Sequence, residues 1–169
     1  MPTIGVSIAL PEPWGRQLQH YRLSLGDDSA RQIPSHITLV PPTSIPDDSY
    51  ADIADHLRAV AADHAPFEVH LRGTGTFRPV SPVVFIALAR GISECELLAA
   101  DLRAGPLSQE TEFPYHPHVT IAHHVDETTM ERAFIDMAGF DCTFEVPSLW
   151  LYTFDESLGW VKSAEFRLG

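Results

Sequence analysis

Ser35-His36-Ile37-Thr38-Leu39-Val40 and Pro117-His118-Val119-Thr120-Ile121-Ala122 set the same polar pair in the same apolar frame, once in each half of the chain. Side chains alternate faces along an extended strand, so His36 and Thr38 point one way while Ile37 and Leu39 point the other; His118 and Thr120 behave likewise. Each half then presents one imidazole and one hydroxyl on a single face. If the two strands meet around a pseudo-twofold axis, two histidines and two threonines converge on one cleft, the groups that acid-base cleavage of a phosphodiester needs.

The flanking segments repeat as well. Ile4 to Leu10 is an apolar run stopped by Pro11 and Pro13, and Trp14 to Leu25 carries Trp14, Leu18, Tyr21 and Leu25 at roughly helical spacing. The His36 strand follows, with Pro41-Pro42 as its stop. A second helix is expected over Asp47 to His64, then an alternating strand from Phe67 through Gly73 and Gly75 to Phe77. In the second half Val83 to Ala89 reads as a strand, and Ser93 to Ala104 as a helix with Ser93 at its N-cap. The His118 strand, a helix over Glu127 to Met137, an extended stretch from Thr143 to Phe154 and a last strand from Trp160 to Leu168 complete the order. This predicts an α+β fold, a single bilobal domain over 1–169 with two pseudo-symmetric β-α-β-α-β lobes, a central cleft and helices outside. Arg78-Pro79-Val80-Ser81-Pro82 is the expected boundary, placing lobe one at about 1–78 and lobe two at about 83–169.

At 169 residues the chain can bury a sufficient core without staples. Cys95 and Cys142 have neither a disulfide framework's count nor metal-ligand spacing, and read as small buried hydrophobes. Met1 to Val6 lacks the pattern of a secretory signal and no window approaches a membrane span, so a cytoplasmic location, no membrane partner and a monomer are expected. A net charge of −12 with Lys162 as the only lysine disfavours a phosphate-tracking surface, which excludes long duplex DNA as a partner. A small nucleotide or an RNA end, gripped by a few arginines, stays compatible with an acidic exterior.

The two His-x-Thr-apolar motifs, the prolines around them and the two-lobed order resemble the 2H phosphoesterase superfamily, in its 2'-5' RNA ligase-like or RNA 2',3'-cyclic phosphodiesterase branch. The likeness spans nearly the whole chain and is strongest at Tyr115-His116-Pro117-His118-Val119-Thr120-Ile121. It implies a bilobal α+β fold, His36, Thr38, His118 and Thr120 as the catalytic set, and no metal or other cofactor. The implied activity is hydrolysis of 2',3'-cyclic phosphate ends of RNA or of small cyclic nucleotides, with 2'-5' RNA ligation as a further activity of that branch. Two positions depart from the pattern: His123 stands where some bacterial members have an Arg five residues after the second histidine, and Pro41-Pro42 where an aromatic residue often follows the first motif.

Chemistry favours the same four residues. An unperturbed imidazole titrates near ~6.5, so one ring can be neutral and its partner protonated, giving a base for water and an acid for the leaving alkoxide. The threonine hydroxyls can donate to the non-bridging oxygens. Arg31, Tyr115, His116 and His123 flank the motifs and are candidate substrate contacts; Arg72 and Arg78 are weaker ones. Two rival readings stand beside this one. The first is a metal-dependent hydrolase built on His116, His118, His123 and His124. The second is a non-catalytic module of the same fold that binds a nucleotide or RNA end.

Overall fold

A computed structural model describes residues 1–169. In chain order the elements are β1 (Thr3–Ala9), α1 (Trp14–Ser24), β2 (His36–Ser44), α2 (Tyr50–Ala62), β3 (Phe67–Thr76) and β4 (Val83–Arg90). They continue with α3 (Ile92–Leu102), β5 (His118–His123), α4 (Glu127–Asp136), β6 (Asp141–Val146), β7 (Ser148–Asp155) and β8 (Gly159–Arg167). The predicted α+β class and the repeated β-α-β-α-β order are both present. The strands form two antiparallel four-stranded sheets, ordered β2-β1-β7-β8 and β5-β4-β3-β6.

The two sheets correspond strand by strand, but they do not divide the chain at 78/83 as the repeat suggested. β3, from the first half, sits inside the second sheet between β4 and β6. Arg78–Pro82 is the turn of the β3-β4 hairpin rather than a lobe boundary, because strands joined by so short a connection pair with each other. β7 and β8 return to flank β1 in the first sheet. The extended stretch from Thr143 to Phe154 is accordingly two strands: Pro147, which lacks an N–H for either ladder, separates β6 in one sheet from β7 in the other. The exchange leaves a single continuous core of 35 buried residues spanning both sheets.

The helices cross over too. α3, which joins β4 to β5 of the second sheet, packs on β2 of the first, whereas α1 packs on β5 of the second. α2 lies against β8, and α4 against β3, β4 and β5. Ser93 does not cap α3, which begins one residue earlier; Gly91 precedes it at φ 95, where a Cβ would meet the Glu68 carbonyl oxygen at 2.9 Å. A left-handed residue with no room for a side chain must be glycine. Pro41-Pro42 do not end β2, which runs on to Ser44 with a register shift opposite Ile4 to Val6. An edge strand tolerates prolines because half of its N–H groups face no neighbour.

Candidate active site

β2 and β5 occupy equivalent edges of their sheets and lie against each other, so the two repeated motifs meet. The alternation holds in both strands: Ile37, Leu39, Val119 and Ile121 are fully buried, while His36, Thr38, His118 and Thr120 are half-buried on the opposite face.

The rings are anchored by one shared device. His36 Nδ1–H donates to the Pro34 carbonyl at 2.7 Å, and His118 Nδ1–H donates to the His116 carbonyl at 2.7 Å. A carbonyl only accepts, so each neutral ring carries its proton on Nδ1 and its lone pair on Nε2. The Thr38 hydroxyl lies 3.1 Å from His36 Nε2 and donates to it when that ring is neutral. Burial pushes His36 down to about 4; the Pro34 bond opposes this, and the charges of Arg22 and His118 add to it. Burial likewise lowers His118, opposed by the His116 carbonyl and reinforced by the His116 ring.

Aromatic groups fix the second imidazole. Phe77 meets His118 edge-on with centroids 4.9 Å apart, Phe85 lies 5.2 Å away, and the same two rings contact His116 at 5.3 Å each. Gly75 makes this possible, since a Cβ there would come within 2.6 Å of the Phe85 ring directly opposite. Tyr115 sends its hydroxyl across to the Thr38 carbonyl at 2.7 Å, and Arg103 Nε donates to the neighbouring Leu39 carbonyl at 2.9 Å. The Arg103 guanidinium rests on the Tyr115 ring, 4.9 Å from its centroid. These two residues tie the edge of β2 to the end of α3 and to the segment that leads into β5.

A cavity of about 700 Å³ opens between Thr38, Phe77, Arg103, Phe113, Tyr115 and His118, within the range of small-molecule sites. On the other side of Thr38 a hollow of about 30 Å³ is bordered by Ser7, His36, Tyr152 and Trp160. Thr38 borders both, and Thr120 borders neither, lying further along β5 with its Cα opposite Phe85.

The flanking candidates separate. Tyr115 and His116 border the large cavity, although the Tyr115 hydroxyl is already engaged. Arg31 and His123 border neither hollow. Arg31 is exposed, 3.8 Å from Asp28, because it sits on a short 3₁₀ turn, Asp28–Arg31, before the strand. His123 is stacked on His124 at the far end of β5, with centroids 3.7 Å apart. Arg78 is bound by Glu127 and Glu131 at 2.8 and 3.1 Å, and Arg72 is exposed near Asp141. The four-histidine metal cluster does not form: no three His, Cys, Asp or Glu side chains are grouped to hold an ion, since His116 and His118 sit at the head of β5 and the other two at its end. Sequence reading missed Phe77, Phe85 and Arg103, which come from distant segments with no motif of their own, and Phe113, which lies just before Tyr115.

The arrangement is a two-lobed fold with a histidine at the head of each of two facing strands. A family model described as the 2'-5' RNA ligase superfamily matches residues 10–158, and the chain belongs to that family. A protein of Bacillus cytotoxicus named as a phosphoesterase is 33% identical over 95 residues, 56% of this chain and 55% of that one, so the match spans about half of that relative. A phosphoesterase-named protein of Bacillus thuringiensis is 27% identical over 140 residues, 81% of this chain and 80% of that one. Among solved structures, TT0787 of Thermus thermophilus superposes with a TM-score of 0.70 at 22% identity, covering 99% of this chain and 98% of that one. LigT of Escherichia coli in complex with 3'-AMP gives 0.70 at 21% identity, covering 99% of both. At such identities the two structures establish the shared fold. No helix is long and apolar enough to cross a membrane.

Proposed function

We propose that the protein hydrolyses 2',3'-cyclic phosphates, at RNA ends or on small nucleotides, by two-histidine acid-base catalysis that needs no metal. The matched anchoring of His36 and His118 carries this reading, because it commits each Nδ1 to a carbonyl and leaves each Nε2, which in His36 meets only the Thr38 hydroxyl, to exchange a proton with a ligand. The nucleotide complex of LigT, a protein with the same fold, supports nucleotide as the ligand class.

His36, the ring pushed down to about 4, is neutral near pH 7 and takes the base role. Its Nε2 removes a proton from water as the water oxygen bonds to phosphorus. One ring P–O bond breaks on the opposite side, and protonated His118 gives its Nε2 proton to the departing ribose oxygen, leaving a nucleoside monophosphate. Thr38 turns its hydroxyl from Nε2 to a non-bridging oxygen as the phosphate enters, and Thr120 supplies the second donor. A positioned acid or base is worth about 10² to 10⁴-fold, so His36→Ala and His118→Ala should each lower turnover of a nucleoside 2',3'-cyclic phosphate by that factor in EDTA-treated protein, with melting temperature retained. Full activity in either variant overturns the assignment.

A further inference from the structure

The chain has ten arginines, and the pairing of their charges singles out one. Arg22, Arg31, Arg58, Arg72, Arg78 and Arg90 each lie within 4.0 Å of a carboxylate. Arg16, Arg132 and Arg167 are exposed, where water solvates the charge. Arg103 alone is half-buried without an acidic partner, in a protein whose acids outnumber its bases by 23 to 11. Its Nε is committed to the Leu39 carbonyl, whereas its two terminal nitrogens donate to nothing in the protein and the guanidinium borders the large cavity. A cation partly withdrawn from water with no counter-charge favours an anion that enters the cavity beside it.

The pseudo-symmetry sharpens the contrast. Arg22 lies in the last turn of α1, the helix that crosses onto β5; Arg103 caps the end of α3, which crosses onto β2. Arg22 is neutralised by buried Asp27 at 2.7 Å, and its counterpart has been left free. Arg103 borders the cavity that holds Thr38 and His118, but not the smaller hollow shared by His36 and Thr38. His118 thus shares a cavity with Arg103, whereas His36 does not. Aromatic and prolyl groups, Phe77, Phe113, Pro114 and Tyr115, line the same cavity and suit a nucleoside lying between the two anionic positions.

We propose that Arg103 binds a second phosphate of the substrate, so that the enzyme prefers a cyclic phosphate whose nucleoside carries a 5'-phosphate or continues into an RNA chain. This rests on the cyclic phosphodiesterase reading above. The guanidinium, held by the Leu39 carbonyl and the Tyr115 ring, offers a preset pair of N–H donors to that group.

The test compares kcat/KM for adenosine 2',3'-cyclic phosphate with and without a 5'-phosphate, in the wild-type protein and in Arg103→Gln. A charge-assisted contact of this kind is worth about tenfold or more. The wild type should favour the 5'-phosphorylated substrate by at least that factor, and Arg103→Gln should bring the ratio close to one. A wild-type ratio near one overturns the proposal. So does a variant that loses equally on both substrates, the outcome if Arg103 touched the reacting phosphate or only supported β2. Calorimetry with adenosine 3',5'-bisphosphate and adenosine 3'-monophosphate repeats the comparison without turnover. Preference for the bisphosphate that Arg103→Gln abolishes, in a protein that hydrolyses neither cyclic substrate, would uphold the second-phosphate site and sink the catalytic reading; equal affinities beside normal hydrolysis would do the reverse.

Discussion

Replacing Asp27 by Asn tests how far the buried ion pair beneath the cleft holds this molecule together. The Arg22 and Asp27 side chains are only 6% and 1% exposed, and Arg22 Nε and one terminal nitrogen both donate to the same carboxylate oxygen at 3.1 and 2.7 Å. The other oxygen accepts from the Ser29 N–H at 3.2 Å and from the Ser29 hydroxyl, so the acid also caps the turn leading into β2. Burial acts to raise the Asp27 pKa, but the bonds from Ser29 and Arg22 and the Arg22 charge outweigh it, and the carboxyl sits below its ordinary value. Asn keeps the shape and one acceptor for Ser29 while leaving the guanidinium charge buried and unopposed. Breaking a buried pair in this way costs about 3–5 kcal/mol, and for a domain of this size each kcal/mol moves the melting temperature by about 2–4 °C. Denaturant unfolding of Asp27→Asn should show that loss, with Arg22→Met losing a similar amount. The double variant should recover at least about 2 kcal/mol of the summed losses, because two neutral groups no longer strand a charge. A loss under about 1 kcal/mol for Asp27→Asn, or singles that simply add, would refute the account.

The same pair reaches the chemistry through Arg22, whose charge helps depress His36, so Arg22→Met should move the acid limb of the kcat/KM profile to higher pH. In the wild type kcat/KM should rise as pH passes about 4, where His36 loses its proton, and fall at a pH below 6.5, where His118 loses its own. An acid limb at 6.5 or above would remove His36 as the base. Stability follows from the same shifts: both folded rings take up protons less readily than unfolded ones, so they leave stability flat above pH 6.5. As pH drops from 6.5 towards about 4 the unfolded chain gains protons that the folded one does not, and the melting temperature should fall. Tyr115→Phe strands the Thr38 carbonyl, which should cost about 1–3 kcal/mol in urea unfolding and lower kcat more than it raises KM; unchanged stability would show that the hydroxyl is not a latch.

His36 and Thr38 were legible because a strand's two-residue period is written into sequence, and because the motif recurs at matching places in an order of elements that also recurs. Period and order are local properties. Which sheet a strand joins is not, and the halves of the sequence therefore differ from the lobes of the molecule: β3 follows its hairpin partner into the second sheet, and β7 and β8 cross back after Pro147. That exchange has a functional consequence. Arg103 and Tyr115 lie 64 and 77 positions from the carbonyls they bind on β2, and no spacing rule could have joined them. Because α1 and α3 cross over, each histidine strand is supported by a helix that joins two strands of the other sheet. Twin lobes with separate cores could drift apart and separate the two imidazoles. Here the 35-residue core runs through both sheets, so a change deep in one lobe, such as at Leu39 or Ile121, is transmitted to the spacing of the two rings. The distance between the two rings, on which the proposed in-line attack depends, is set by packing that no single half of the sequence contains.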